Sequence, residues 1–122
     1  MSVIIPIEDV KKYLLRIKEA VSSGKYRYEG RRWKNVRSLA VAGVLTRHVK
    51  EYILLLTYLD YFNGPEDERD PNFPPGKYVF FGLAINGHEF FIKLKLEKND
   101  NEEWCVCISF HIAEGPIYYA YK

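Results

Sequence analysis

The chain has no glutamine, one methionine and two cysteines among its 122 residues. The first two scarcities match the depletion of thermolabile residues in heat-adapted chains. The cysteines, Cys105 and Cys107, stand two apart in an alternating segment, which places them on one face roughly 6.5–7 Å apart. That separation is beyond comfortable disulfide reach, and Cys-x-Cys without further ligands does not make a metal site, so both read as packing residues. Long apolar runs are missing too: none approaches the ~18–20 residues of a membrane span, and the N-terminus has no signal-peptide h-region. The expectation is a cytoplasmic protein with no membrane role. No Gly-rich phosphate loop, nucleophile elbow or paired-carboxylate site is present, which excludes the nucleotide-fold and serine-hydrolase routes to chemistry. No cofactor or metal is called for. The acidic run at residues 66–70 offers carboxylates, but nothing fixes their geometry for a divalent ion.

What is present is apolar and aromatic. Apolar residues make up 48% of the chain and aromatics 16%, with ten tyrosines, enough for the core of one domain spanning residues 1–122. The net charge of +2 is unevenly spread: residues 1–57 hold 12 Lys/Arg against 5 Asp/Glu, whereas residues 58–122 hold 6 against 11. The densest stretch contains Lys25, Arg27, Arg31, Arg32, Lys34 and Arg37, with Tyr26, Tyr28 and Trp33 between the charges. Cations interleaved with aromatic rings suit phosphate contact and stacking on bases.

Periodicity supplies the architecture. Pro6, Glu8 and Asp9 suit a helix start, and Ile7, Val10, Leu14, Ile17 and Val21 recur at helical spacing until Gly24. Tyr26 to Glu29 reads as a short strand or extended arm. A second helix is expected from Asn35 towards Gly43, and a third after Thr46 through Val49, Tyr52, Ile53 and Leu56. Residues 60–76, acidic and rich in proline, read as a surface loop.

Three alternating segments follow. Val79, Phe81, Leu83 and Ile85 form one face of the first, and Phe90, Ile92, Leu94 and Leu96 one face of the second. In the third, Trp104, Val106, Ile108, Phe110 and Ile112 are expected against the core, opposite Cys105, Cys107, Ser109 and His111. Asn86-Gly87 predicts a two-residue hairpin turn pairing Ile85 with His88, Phe81 with Ile92, Phe80 with Lys93 and Tyr78 with Lys95. The same pattern brings His111 near Phe91 and Lys93. After a turn at Gly115-Pro116, Ile117 to Tyr121 is expected to form a short last strand. Helices first and antiparallel strands afterwards predict an α+β fold: a twisted antiparallel sheet with N-terminal helices packed on one face.

Several segments in order resemble a known family. They are Gly24-Lys25-Tyr26-Arg27, Arg37-Ser38-Leu39-Ala40 with a following helix to Leu56, Asp60-Tyr61-Phe62 with Gly64-Pro65, Phe91-Ile92-Lys93-Leu94 and Ile108-Ser109-Phe110-His111. Together they resemble the MqsR-type toxins of the RelE superfamily over roughly residues 10–121. The resemblance implies a RelE-like fold and the toxin of a type II toxin–antitoxin pair, a metal-independent messenger-RNA endoribonuclease. It also implies a cognate antitoxin as partner, often bearing a zinc-binding module and a helix-turn-helix. The chain departs from the family at Asn63, where a lysine is usual, at Val79-Phe80 in place of Trp-Gln, at Phe91 in place of tyrosine, and at His111 in place of lysine.

Such a ribonuclease has the 2′-hydroxyl of RNA attack the adjacent phosphorus. It needs a base, positive charge for the phosphorane and a proton for the leaving oxygen. His111 is expected as base or acid, because imidazole changes charge near neutral pH. Lys93 is expected to stabilise the phosphorane, and Tyr61 to donate a proton from the 60–76 loop. RNA contacts are expected from Lys95, Tyr78, Phe91, Arg31, Arg32 and Lys34. Two other readings stand beside this one. The first is a RelE-like module that binds RNA or protein without catalysis, favoured by Asn63 and Phe91. The second is an unrelated small-molecule enzyme with a deep apolar pocket at His111.

Overall fold

Asn86 and Gly87 take positive φ values of 50° and 81°, the geometry a type I′ turn demands, and the strands they join carry the registers expected from the alternation. In the computed structural model, which describes residues 3–122, Ile85 pairs with His88, Phe81 with Ile92, Phe80 with Lys93 and Tyr78 with Lys95. The elements in chain order are α1 (Ile7–Ser22), β1 (Tyr26–Tyr28), α2 (Trp33–Ala42), α3 (Val49–Leu55), β2 (Tyr61–Asp67), β3 (Gly76–Ile85), β4 (His88–Asn99) and β5 (Glu102–Ile112). The fold is α+β, with one five-stranded sheet in the order β1-β5-β4-β3-β2. One face packs against the helices: Val10, Leu14 and Ile17 of α1, Leu39 of α2, and Val49 and Ile53 of α3 meet Val79, Phe81, Phe90, Ile92, Leu94 and Phe110. Gly43 closes α2 at φ 69°, its backbone N–H returning to the last turn, as a left-handed C-cap does.

Four expectations are corrected. β1 runs parallel to β5, with Tyr26 opposite Cys105 and Tyr28 opposite Cys107, so the sheet is mixed rather than wholly antiparallel. Residues 61–67 are not loop but edge strand β2 on β3, with register shifts around Asn63 that let Gly64 and Pro65 remain in the strand. Such irregularity is how an edge strand tolerates proline. Ile117 to Tyr121 forms no strand. It crosses the sheet as a strap, where Tyr119 donates its hydroxyl to Glu89 at 2.9 Å and Ala120 N–H bonds Tyr61 O at 3.2 Å. Gly82 makes that crossing possible, since a Cβ there would run into the Tyr119 hydroxyl and Ile117.

The fourth correction sets the functional face. β4 and β5 pair Lys93 with Ser109 but Leu94 with Cys107. Ile108 is therefore an extra residue, a bulge that reverses side-chain parity. Downstream of it Phe110 faces the core and His111 the opposite face, as expected. Upstream, Cys105 and Cys107 are fully buried in the core, while Trp104 and Val106 face the other way, opposite Glu97 and Lys95. The hairpin turn is tight, with Asp100 and Asn101 at φ 52° and 65°, a region Asx residues tolerate.

The bulge lies where β1 ends and α2 takes over the edge of β5. The Asn35 side chain, 1% exposed, accepts from Phe110 N–H at 2.9 Å and donates to Glu29 O at 3.0 Å and Ile108 O at 3.2 Å. Ser38 Oγ accepts from Ile112 N–H at 2.8 Å. Two helix side chains thus complete the hydrogen bonding of a strand that has run out of neighbours.

Candidate functional site

The sheet face away from the helices divides into two halves of different chemistry. The half nearer the β4–β5 turn is internally neutralised. Lys95, 3% exposed, donates to Glu68 at 2.9 Å and to Pro74 O at 2.7 Å, and pairs with Glu97 at 3.2 Å. The Tyr78 hydroxyl donates to the same Glu68 carboxylate. Hydrogen bonds from Tyr78 and Lys95 hold Glu68 at about 2. Burial works against the Glu97 carboxylate, but hydrogen bonds from Asn99 and Lys95 and the charges of Lys95 and Arg27 together leave it below the usual range. Burial and the Glu68 hydrogen bond push the Tyr78 phenol up. Lys95 is therefore corrected from an RNA contact to a buried structural cation, because the 68–74 segment folds back and uses its protons.

The other half is open and cationic. Phe62, Phe80 and Phe91 form a triangle of rings 5.8–6.0 Å apart, and the His111 ring lies on Phe91 at 5.1 Å, 18° from parallel. His111 Nδ1 is 3.0 Å from Ile112 O. A carbonyl only accepts, so Nδ1 carries the proton and the neutral ring keeps its lone pair on Nε2. Lys93, half-buried, stands 4.3 Å from the Tyr78 ring centroid and 5.6 Å from that of Phe80, and has no carboxylate partner among the described residues. Since Phe91 is opposite His111 and Lys93 opposite Ser109, Lys93 and His111 are diagonal neighbours, roughly 7–8 Å apart. Among the described residues no three His, Cys, Asp or Glu side chains converge to hold a metal ion, and no helix is long and apolar enough to cross a membrane.

Three depressions meet at His111. One, of about 380 Å³, contains Arg32, Lys34 and Ser109. A second, of about 340 Å³, contains Trp33, Arg37 and Val41. The third, of about 450 Å³, contains Phe62, Asn63, Phe91 and Tyr118. Arg32 also reaches near enough to Tyr78 for its charge to act on that phenol. Arg31 is exposed in the turn before α2 and lines none of these three depressions. Lys34 pairs with Glu114 at 2.7 Å, both exposed.

The sequence thus brings His111, Lys93, Phe91, Arg32 and Lys34 together, with Tyr78 at their border. Tyr61 is not with them. Its ring is fully buried against Phe81 and Tyr121, and its hydroxyl bonds Gly64 O at 2.6 Å, Val3 O at 3.0 Å and Ile5 N–H at 3.1 Å. Tyr61 is corrected from proton donor to core residue, because residue 61 opens a strand with its side chain inward. Phe62 and Tyr118 are not among the residues expected at the site; Arg37 belongs to the basic stretch expected to meet phosphate, and its position one helical turn after Trp33 places it on the α2 side of His111. No protein-family model, curated protein or solved structure matches the chain.

Proposed function

We propose that the open face binds messenger RNA and cleaves it by attack of the 2′-hydroxyl, as a RelE-like toxin of a toxin–antitoxin pair would. One observation carries the reading: the Nδ1–H···O bond to Ile112 leaves the His111 Nε2 lone pair on a face that also carries Lys93 and Arg32, neither of which has a carboxylate partner among the described residues. His111 Nε2 takes the 2′-hydroxyl proton, the 2′-oxygen bonds to phosphorus, and the bond from phosphorus to the 5′-oxygen breaks. The Lys93 ammonium neutralises the phosphorane and supplies the proton to the departing 5′-oxygen. Arg32 and Lys34 hold flanking phosphates and Phe91 offers its ring to a base. The one-sided α+β sheet and the resemblance to MqsR-type toxins support this assignment, and with it a cognate antitoxin as partner.

The test is cleavage of a single-stranded RNA by purified protein beside His111→Ala and Lys93→Ala. A loss of about 10²–10⁴ for His111→Ala supports the mechanism. Full activity in both variants overturns it. A second reading has its own support: with Tyr61 and Lys95 committed to the fold, His111 and the unpaired Lys93 are left to serve the site among the described residues. An RNA-binding module that leaves its ligand intact would show binding without cleavage in the same preparation.

A further inference from the structure

We propose that His111 divides two base-holding pockets, so that the ligand of this face is one step of a single-stranded RNA whose two bases turn to opposite sides of the imidazole. The inference rests on the RNA reading above and adds the shape of the bound strand. The depression on the α2 side and the one under the strap both end at His111, at about 340 and 450 Å³, within the ~300–1,000 Å³ of small-ligand sites. Each has a large aromatic ring left in water at its mouth: Trp33 is 64% exposed and Tyr118 80%. A base offers such a ring the flat apolar face that the fold does not. The Arg37 guanidinium lies 5.6 Å from the Trp33 centroid, so the α2 pocket combines a stacking surface with hydrogen-bond donors for a base edge.

The phosphate between the bases also has a place. Lys34 already holds an anionic oxygen beside His111, that of Glu114 at 2.7 Å. Because this pair is exposed it is weak, and a phosphate can take the place of the carboxylate. Arg32 and Arg37, without carboxylate partners among the described residues, add charge on the same side. A duplex cannot use the arrangement, since its bases are paired and stacked inward and each flipped base costs unstacking.

The experiment measures binding of a fluorescent 2′-O-methyl RNA 12-mer, which lacks the nucleophile and stays uncleaved, against the duplex of the same sequence. Wild type, Trp33→Ala, Tyr118→Ala and Glu114→Gln are compared; the replaced side chains are exposed, and melting curves check that each variant folds. The expected result is a single strand bound at least about tenfold tighter than the duplex. Trp33→Ala and Tyr118→Ala should each weaken it about 5- to 150-fold, multiplying in the double variant, and Glu114→Gln should tighten it. Equal binding of strand and duplex, with both aromatic variants neutral, overturns the two pockets and leaves the RNA reading standing. No binding of either form by folded wild type overturns both.

Discussion

Asn35→Ala removes one side chain and orphans three backbone groups. The Phe110 N–H is the most serious loss, since that residue is fully buried and its amide donates to Asn35; the carbonyls of Glu29 and Ile108 lose their donor at the same time. An unsatisfied buried group costs ~1–3 kcal/mol. Setting the N–H at about 2 kcal/mol and the two carbonyls together at about 1 kcal/mol gives about 3 kcal/mol. With an unfolding entropy of about 0.26 kcal/mol/K for a chain of this length, Tm should fall by about 12 °C. Ser38→Ala, which takes one acceptor from Ile112 N–H, should cost about 1 kcal/mol and about 4 °C. The variant should also disturb the site, because Asn35 grips the bulge that sets the parity of Ser109 and His111. In proton NMR of the folded variant, the upfield shift that Phe91 imposes on the His111 ring should shrink. Calorimetry supplies the first readout. A Tm within about 3 °C of wild type, with the His111 shift intact, would refute the idea that α2 completes the sheet edge.

Three more outcomes are expected. Lys95→Met leaves Glu97, 2% exposed, without its nearest cation, and should destabilise by about 3 kcal/mol or more in urea unfolding; adding Glu97→Leu should recover part of the loss, whereas Lys93→Ala alone should change stability little. The Glu68 carboxylate is held at about 2 against an ordinary 4.5. Its contribution is therefore complete above pH 4.5 and drains away as pH falls towards 2, so the stability gap between wild type and Glu68→Gln should close over that window. Burial pushes the Cys105 thiol up to about 12 and Cys107 well above its usual value. Neither should react with a thiol reagent at pH 8 in the native state, and both should react in denaturant.

Much of this was legible in the sequence, and the exceptions have physical reasons. The β3–β4 hairpin could be read residue by residue because Asn86-Gly87 admits one turn and both strands alternate without interruption. β5 alternates just as cleanly on paper, yet half of it is reversed. Trp104, Val106 and Ile108 look like a core face, and only the contest between β1 and α2 for the same edge forces the extra residue at 108. β2 was hidden by Gly64-Pro65 and its acids, a composition an edge strand accepts and a central one does not. At the site, local pattern found His111, Lys93 and Phe91, which share a face by alternation alone. Pattern could not reveal that Lys95, two residues from Lys93 and on the same face, is claimed by Glu68 arriving from 27 residues away, or that Tyr61 turns inward.

The network around Tyr61 also has a meaning for how the chain is made. Tyr121 donates its hydroxyl to Ile5 O, across 116 residues, while Asn63 and the Tyr61 hydroxyl hold Val3 and Ile5 from β2. Helix α1 is synthesised before the strands, and the segment leading into it acquires its partners only when β2 and then residue 121 arrive. At ~5–20 residues per second of synthesis, that segment stays untethered for on the order of ten seconds. A chaperone or protease that reads extended chain meets it in that interval, and docking of the strap ends it.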